Sequence, residues 1–312
     1  MDLPNDPLQP IPWTQMEGLS KKLLADAPYS LVSYLRCVFQ MHGTIRMALR
    51  WRETEAGQRI TIYSTNNRLD DAGIVGIYKK PGSKNYRITL YCFSEDTSVL
   101  QNALLKTQRF DWDSPDTTLF FSAIPEKLMP VLERTLPQRN CKFEFKCNTT
   151  YKWRTPDQLD SCDHTCPPDV RLAPLSLEYV KLVQSHWFDD VPDAADYITT
   201  LITHNQSMGA YSRSTGELCA FVLFSEFCTM TILHTMEEHR RKGYAQLIIN
   251  AICQRLLAEG LIVGATVIEG NTASLKLFEL LGFNTSRDFF LYTLATPLTP
   301  GQEEVTCKKI KY

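Results

Sequence analysis

The sequence predicts an α/β (α+β) protein whose mixed sheet is flanked by helices, and three observations carry that reading. An antiparallel meander is expected from Met208–Ser212, Leu218–Phe227 and Thr229–Thr235, joined by short turns such as Arg213-Ser214-Thr215-Gly216-Glu217. Directly after it the pattern changes to helix, strand, helix, strand, which implies a parallel crossover onto the same sheet. Before it, in the first half of the chain, segments of strand and helix period already alternate, as in a second α/β unit.

Along the chain, the Pro-rich first ten residues read as irregular. Helices are expected near Met16–Leu24 and Leu31–Met41, then strands at Thr44–Trp51, Arg59–Tyr63, Ile74–Tyr78 and Tyr86–Phe93. Lys79–Asn85 is a turn-rich hairpin loop; its Gly-Ser-Lys lacks the spacing of a phosphate loop and joins two strands. A helix near Val99–Thr107, a strand near Leu119–Ser122, a helix at Glu126–Leu136 and a strand at Lys142–Cys147 complete an amino-terminal domain over residues 1–150. Residues 151–168, within a stretch rich in Asp, Thr and Pro, read as a linker. A second domain is expected over 169–296: a short strand at Asp169–Leu172, helices at Leu177–Trp187 and from Pro192 to about Thr203, then the meander. Residues 297–312 form a polar tail.

Composition narrows the function. The chain has 312 residues, a hydrophobic fraction of 44% and a net charge of −2. That balance argues against a nucleic-acid surface, and no apolar run reaches the ~20 residues that cross a bilayer. The opening residues contain Asp and Pro but no Lys or Arg, unlike a signal peptide or an Arg-rich presequence, so a cytoplasmic protein is the default. The ten cysteines are scattered through apolar segments and read as reduced core residues. Cys162-Asp163-His164-Thr165-Cys166 has no second ligand pair, so no metal is expected.

The chemistry concentrates in Thr231–Ala245. A strand ends, the basic run Arg240-Arg241-Lys242 follows, and a helix opens at Gly243 with Tyr244, Ile248, Ile249, Ile252 and Leu256 on one face. A helix start presents unpaired N–H groups and partial positive charge, and a glycine there lets a phosphate reach the backbone. The same residues would also suit a solvated basic loop before a core helix, so context decides. Leu261–Ile268 is a continuous apolar run, as in a strand buried on both faces, and Asn271 is placed to cap a helix over Thr272–Leu281. Gly282 closes that helix, and Phe289–Leu294 reads as the last strand.

Residues 170–295 resemble a GNAT (GCN5-related N-acetyltransferase) domain. Arg240–Ala245 matches the acyl-CoA signature [RQ]-x-x-G-x-[GA], and Asn271–Phe283 matches the later N-x-x-A/S…L-[YF]-x-x-[LA]-G-F segment. The length and the Leu172, Leu175, Val183 and Trp187 pattern are similar to glycine N-acyltransferase-like and FR47-like proteins, and the first half then reads as a degenerate copy of the same fold. The resemblance implies an N-acyltransferase that uses acyl-CoA or acetyl-CoA as co-substrate and a small amine, or an amino acid such as glycine, as acceptor. It implies that Leu233, His234 and Thr235 line the pantetheine arm and that Arg240, Arg241, Lys242, Gly243, Tyr244 and Ala245 hold the pyrophosphate, with Asn271 and Ser274 beside them. It also implies a mitochondrial alternative for the location.

Two positions depart from the family. The general-base Glu of glycine acyltransferases falls on Thr229, which cannot serve; Glu226 or His234 could substitute, directly or through a water, although Glu226, near a hairpin end, is expected to be solvated and His234 also suits a core or pantetheine-wall role. Phe278 stands where many relatives carry a proton-donating Tyr. Both departures also suit a catalytically weak acyl-CoA-binding regulator. The acceptor pocket is expected around His186-Trp187-Phe188-Asp189-Asp190.

Overall fold

The structure is a computed structural model that describes residues 3–26, 38–65, 69, 72–155, 158, 166–187, 192–261 and 263–298. Two compact units emerge. The first comprises residues 1–150, 268–270 and 286–312, and the second residues 151–267 and 271–285.

In the first unit, β1 (Leu8–Pro10) pairs antiparallel with β2 (Ile60–Thr65), and β2, β3 (Gly73–Tyr78) and β4 (Asn85–Cys92) form an antiparallel meander. The first ten residues are thus not wholly irregular. Leu8 is fully buried, and Pro10, which has no N–H to give to a ladder, stands in this short outermost strand. Helix α1 spans Trp13–Asp26 and α2 spans Phe39–Trp51. The expected strand at Thr44–Trp51 is therefore a helix. Met41, Ile45, Ala48 and Trp51 recur every three or four residues and are all buried, a period that overrode the β-branched appearance of Thr44 and Ile45. The expected helix at Leu31–Met41 falls largely outside the described residues.

After β4, α3 (Ser98–Lys106) leads to β5 (Thr118–Pro125), which runs parallel to β4 with Asn85–Ile88 opposite Thr118–Phe121. Helix α4 (Met129–Gln138) precedes β6 (Cys141–Arg154). Asn148-Thr149-Thr150 has the composition of a turn, yet Cys147, Thr149 and Tyr151 are buried in alternation, so the strand continues to Arg154 through residues read as linker. One core of Leu90, Leu100, Leu104, Leu132, Leu136 and Leu291 joins the strands to α3 and α4. The last strand, β12 (Asn284–Pro297), pairs antiparallel with β5, and Thr149 Oγ1 donates to Phe290 O at 3.0 Å.

The second unit repeats this order. Here β7 (Val170–Ala173), α5 (Val180–Ser185) and α6 (Ala194–His204) precede a meander of β8 (Ser207–Ser212), β9 (Leu218–Phe224) and β10 (Met230–Thr235). Helix α7 (Tyr244–Ala258), β11 (Val263–Ile268) and α8 (Thr272–Leu280) follow, with β11 parallel to β10. Every residue of β9 is buried, as in a strand covered on both faces. Gly264 permits a close approach: a Cβ there would collide with the Tyr151 hydroxyl. Cys92, Cys141, Cys147, Cys219, Cys228 and Cys253 are buried free thiols and Cys166 an exposed one, while Cys162–Thr165 lie outside the described residues.

Candidate active site

The site is assembled within the second unit. Strand β10 meets β11 at Met230↔Ala265, and no further register pair of these two strands occurs among the described residues, so β10 from Thr231 onward has an open side. Pairing with β9 is also interrupted: the register shifts between Thr231 and His234, and Ile232 takes a left-handed φ of 50°. A β-branched residue in that region is strained, and such bulges re-aim the side chains that follow. Leu233, His234 and Thr235 lie just beyond the bulge.

His234 is half-buried. Its ring stacks on His186, which follows α5, with centroids 4.1 Å apart and planes at 18°, and it lies 5.7 Å from the Phe221 ring. Burial pushes its pKa down to about 4, helped by the charges of His186 and Arg240, so the imidazole is neutral near pH 7. Through His186 it adjoins the segment where the acceptor pocket is expected. Trp187 stacks on Tyr197 of α6 at 5.5 Å; Phe188, Asp189 and Asp190 lie outside the described residues.

Glu226 corrects its expectation. It is 2% exposed rather than solvated, and the Tyr197 hydroxyl hydrogen-bonds its carboxylate. The turn that carries it is locked: Ser225 N donates to Thr229 O at 2.8 Å, Thr229 N to Ser225 Oγ at 3.1 Å, and the two hydroxyls are 2.9 Å apart. Thr229 is thereby a turn residue with no group to act as a base. Nothing in the local sequence signals this burial, which comes from α6 packing over the turn.

At the other end of β10, Arg240 Nε donates to Thr235 O at 3.3 Å and holds the strand's end. Arg241 and Lys242 are exposed, and neither has an ion-pair partner among the described residues. Arg241 (φ 62°) and Gly243 (φ 79°) are both left-handed, a geometry that turns backbone N–H groups toward one side, and Gly243 caps α7. A Cβ on Gly243 would meet only Gln246 Oε1, at 3.9 Å, so the space before the helix start is open and the requirement for glycine is conformational. The Tyr244 ring is turned inward, its hydroxyl donating to Asp169 Oδ2 at 3.2 Å. What residues 244 and 245 offer outward is backbone.

Asn271 caps α8, its Oδ1 accepting from Ser274 N at 3.1 Å. Phe278 is buried against Phe283 with ring centroids 4.9 Å apart, so this position is core. Among the described residues no helix is long and apolar enough to cross a membrane, and no cluster suited to a metal ion occurs.

Residues 207–290 match the family model described as FR47-like protein. Among solved structures, a Drosophila protein from a structural genomics consortium is similar at a TM-score of 0.80 and 14% identity, covering 94% of this chain and 99% of its own. A tandem GNAT protein from the clavulanic acid biosynthesis pathway reaches 0.55 at 14% identity, with 94% and 98% covered. A putative acetyltransferase from Pyrococcus horikoshii reaches 0.54 at 10% identity, with 97% and 93% covered. No curated protein matches. The open end of β10, the glycine-capped helix beside it and the order of elements around them agree with these likenesses: the chain has the GNAT fold, with an FR47-like segment in its carboxy-terminal half.

Proposed function

We propose that the second unit is an N-acyltransferase that takes an acyl group from acyl-CoA and passes it to a small amine. The observation that carries this reading is the junction of β10 and α7. A strand with an open side runs into a left-handed glycine at a helix start, flanked by two exposed cations. An open strand side suits the amide-rich pantetheine, which bonds backbone as an added strand does. The helix start and Arg241 and Lys242 suit the pyrophosphate.

The transfer needs no covalent enzyme intermediate. The amine nitrogen attacks the thioester carbonyl, a C–N bond forms, the C–S bond breaks, and the thiolate takes its proton from solvent because Phe278 has none to give. The amine's surplus proton passes to His234, neutral at physiological pH and beside the open strand, through water where the two do not touch. Glu226 is the alternative acceptor. Positioning along β10 then supplies most of the rate. Glycine as acceptor, and membership of the glycine N-acyltransferase-like group, rest on the sequence resemblance alone.

The test is a panel of acyl-CoAs and amines assayed for free thiol and, by mass spectrometry, for the amide. Acylated amine at a rate above the spontaneous reaction supports the proposal. Tight CoA binding without amide from any amine would replace it with a binding or regulatory role.

A further inference from the structure

Resting on the acyl-transfer reading, we propose that His186 is a positioning residue of the transfer, a ring laid on His234 that fixes the plane in which His234 meets the amine's proton. Three observations carry this. The bulge at Ile232 leaves β10 irregular just before His234, so the strand ladder alone does not set where that side chain points. Among the described residues neither imidazole has a side-chain hydrogen bond. The outer torsion of a histidine is broad, so an unbonded ring turns unless something packs against it. What packs against His234 is the His186 ring, with centroids 4.1 Å apart and planes at 18°, and the more distant Phe221 ring at 5.7 Å and 31°.

A stack suits this task better than a hydrogen bond would. A hydrogen bond also orients an imidazole, but it occupies one of the two ring nitrogens. Contact through the ring face leaves both nitrogens, which lie at the edge, so a proton can arrive at one and leave from the other. His186 is mounted firmly enough to serve. Its side chain is exposed, yet the chain on either side of it is anchored. At the end of α5, His186 N donates to Val183 O at 3.2 Å, and Val183 is fully buried. On the other side, Trp187 stacks on Tyr197 of α6 with centroids 5.5 Å apart. An exposed ring held between two anchors and laid on a half-buried histidine is fixed by its backbone, and it fixes its neighbour in turn.

The experiment has two arms on the whole chain. Without substrate, NMR of the histidine rings should show His234 signals moved upfield by the facing ring; the shift is lost in His186→Ala and kept in His186→Phe, which preserves the stack. With the amine that the acyl-transfer panel identifies, at about pH 8 and so above the usual histidine range, His186→Ala should lower kcat about tenfold. Both Michaelis constants should change little, and His186→Phe should restore most of the rate. Because His186 acts through His234, adding His186→Ala to His234→Gln should cost nothing further. Four results would overturn the inference: His234 signals unmoved by His186→Ala, an unchanged kcat in that variant, a defect confined to the Michaelis constant of the amine, or an equal loss in the His234→Gln background. Absence of transfer to any amine would instead remove the acyl-transfer reading beneath it, and the ring arm, read without turnover, keeps the two failures distinct.

Discussion

The two units share one order of elements and differ at the same two places. In each, a meander ends in a strand, a helix follows, and the next strand returns parallel to the meander's last. In the second unit that helix begins at bare Gly243 after three cations. In the first it begins at Ser98 after Ser94-Glu95-Asp96-Thr97, and Asp96 accepts from both Ser98 N and Ser98 Oγ at 2.9 Å. Those bonds hold the Asp96 carboxyl below its ordinary pKa, so a negative charge already occupies the helix start. The strands differ likewise. In the first unit four residues of β4 pair with β5, and farther along β4 the Leu90 carbonyl accepts from Gln40 Nε2 of α2 at 3.0 Å. There an internal side chain satisfies a backbone group of the kind that, in the proposed reading, β10 offers to the pantetheine arm. In the proposed reading, the same topology serves as a binding unit or as a closed one, according to the cap and the strand-edge partners.

The largest expected effect tests that contrast directly. Gly243→Glu places a carboxylate and a strained left-handed residue at the proposed phosphate site, and CoA affinity should fall about a thousandfold, ~4 kcal/mol, by calorimetry. Asp96→Ala, at the matching place in the first unit, should leave it unchanged. Next comes the clasp that closes the first unit. Asp6 is buried and accepts from Leu8 N, Thr107 Oγ1 and Gln108 N at 2.7–2.8 Å, with Arg109 beside it. Asp6→Ala strands those donors and should cost about 3 kcal/mol in urea unfolding while CoA still binds.

Acid should act on both units. Burial pushes His42 in the first and His234 in the second down to about 4, so between roughly pH 6.5 and 4 the unfolded chain takes up protons that the folded chain refuses. The contribution of these two histidines to stability should therefore fall as pH drops through that window and level off below it. His234→Gln should show a shallower fall, and an equally steep one would show that His234 is not held neutral. The smallest effect is expected at the α8 cap, where Asn271→Ala should cost about 1 kcal/mol in the same unfolding assay.

How far the sequence reveals this structure depends on the range over which each feature is decided. The α7 and α8 starts are legible because Gly243 and Asn271 act within four residues of themselves. A strand at Thr44–Trp51 follows only if residue type is weighted over period, and the period wins. The deeper misses are tertiary. Burial of Glu226 needs Tyr197 from α6, the His186–His234 stack joins residues far apart in sequence, and the bulge at Ile232 has no composition of its own. Strand β12, expected as the last strand of the second domain, groups from Ser286 onward with the first unit, a pairing set by β5 rather than by anything in β12.

The contrast between the units comes to a single number, the count of coenzyme A molecules bound per chain. Titration of the whole protein should give one site, lost in Gly243→Glu and kept in Asp96→Ala. Two sites per chain, or one that survives Gly243→Glu, would contradict the assignment of the cofactor to the α7 start.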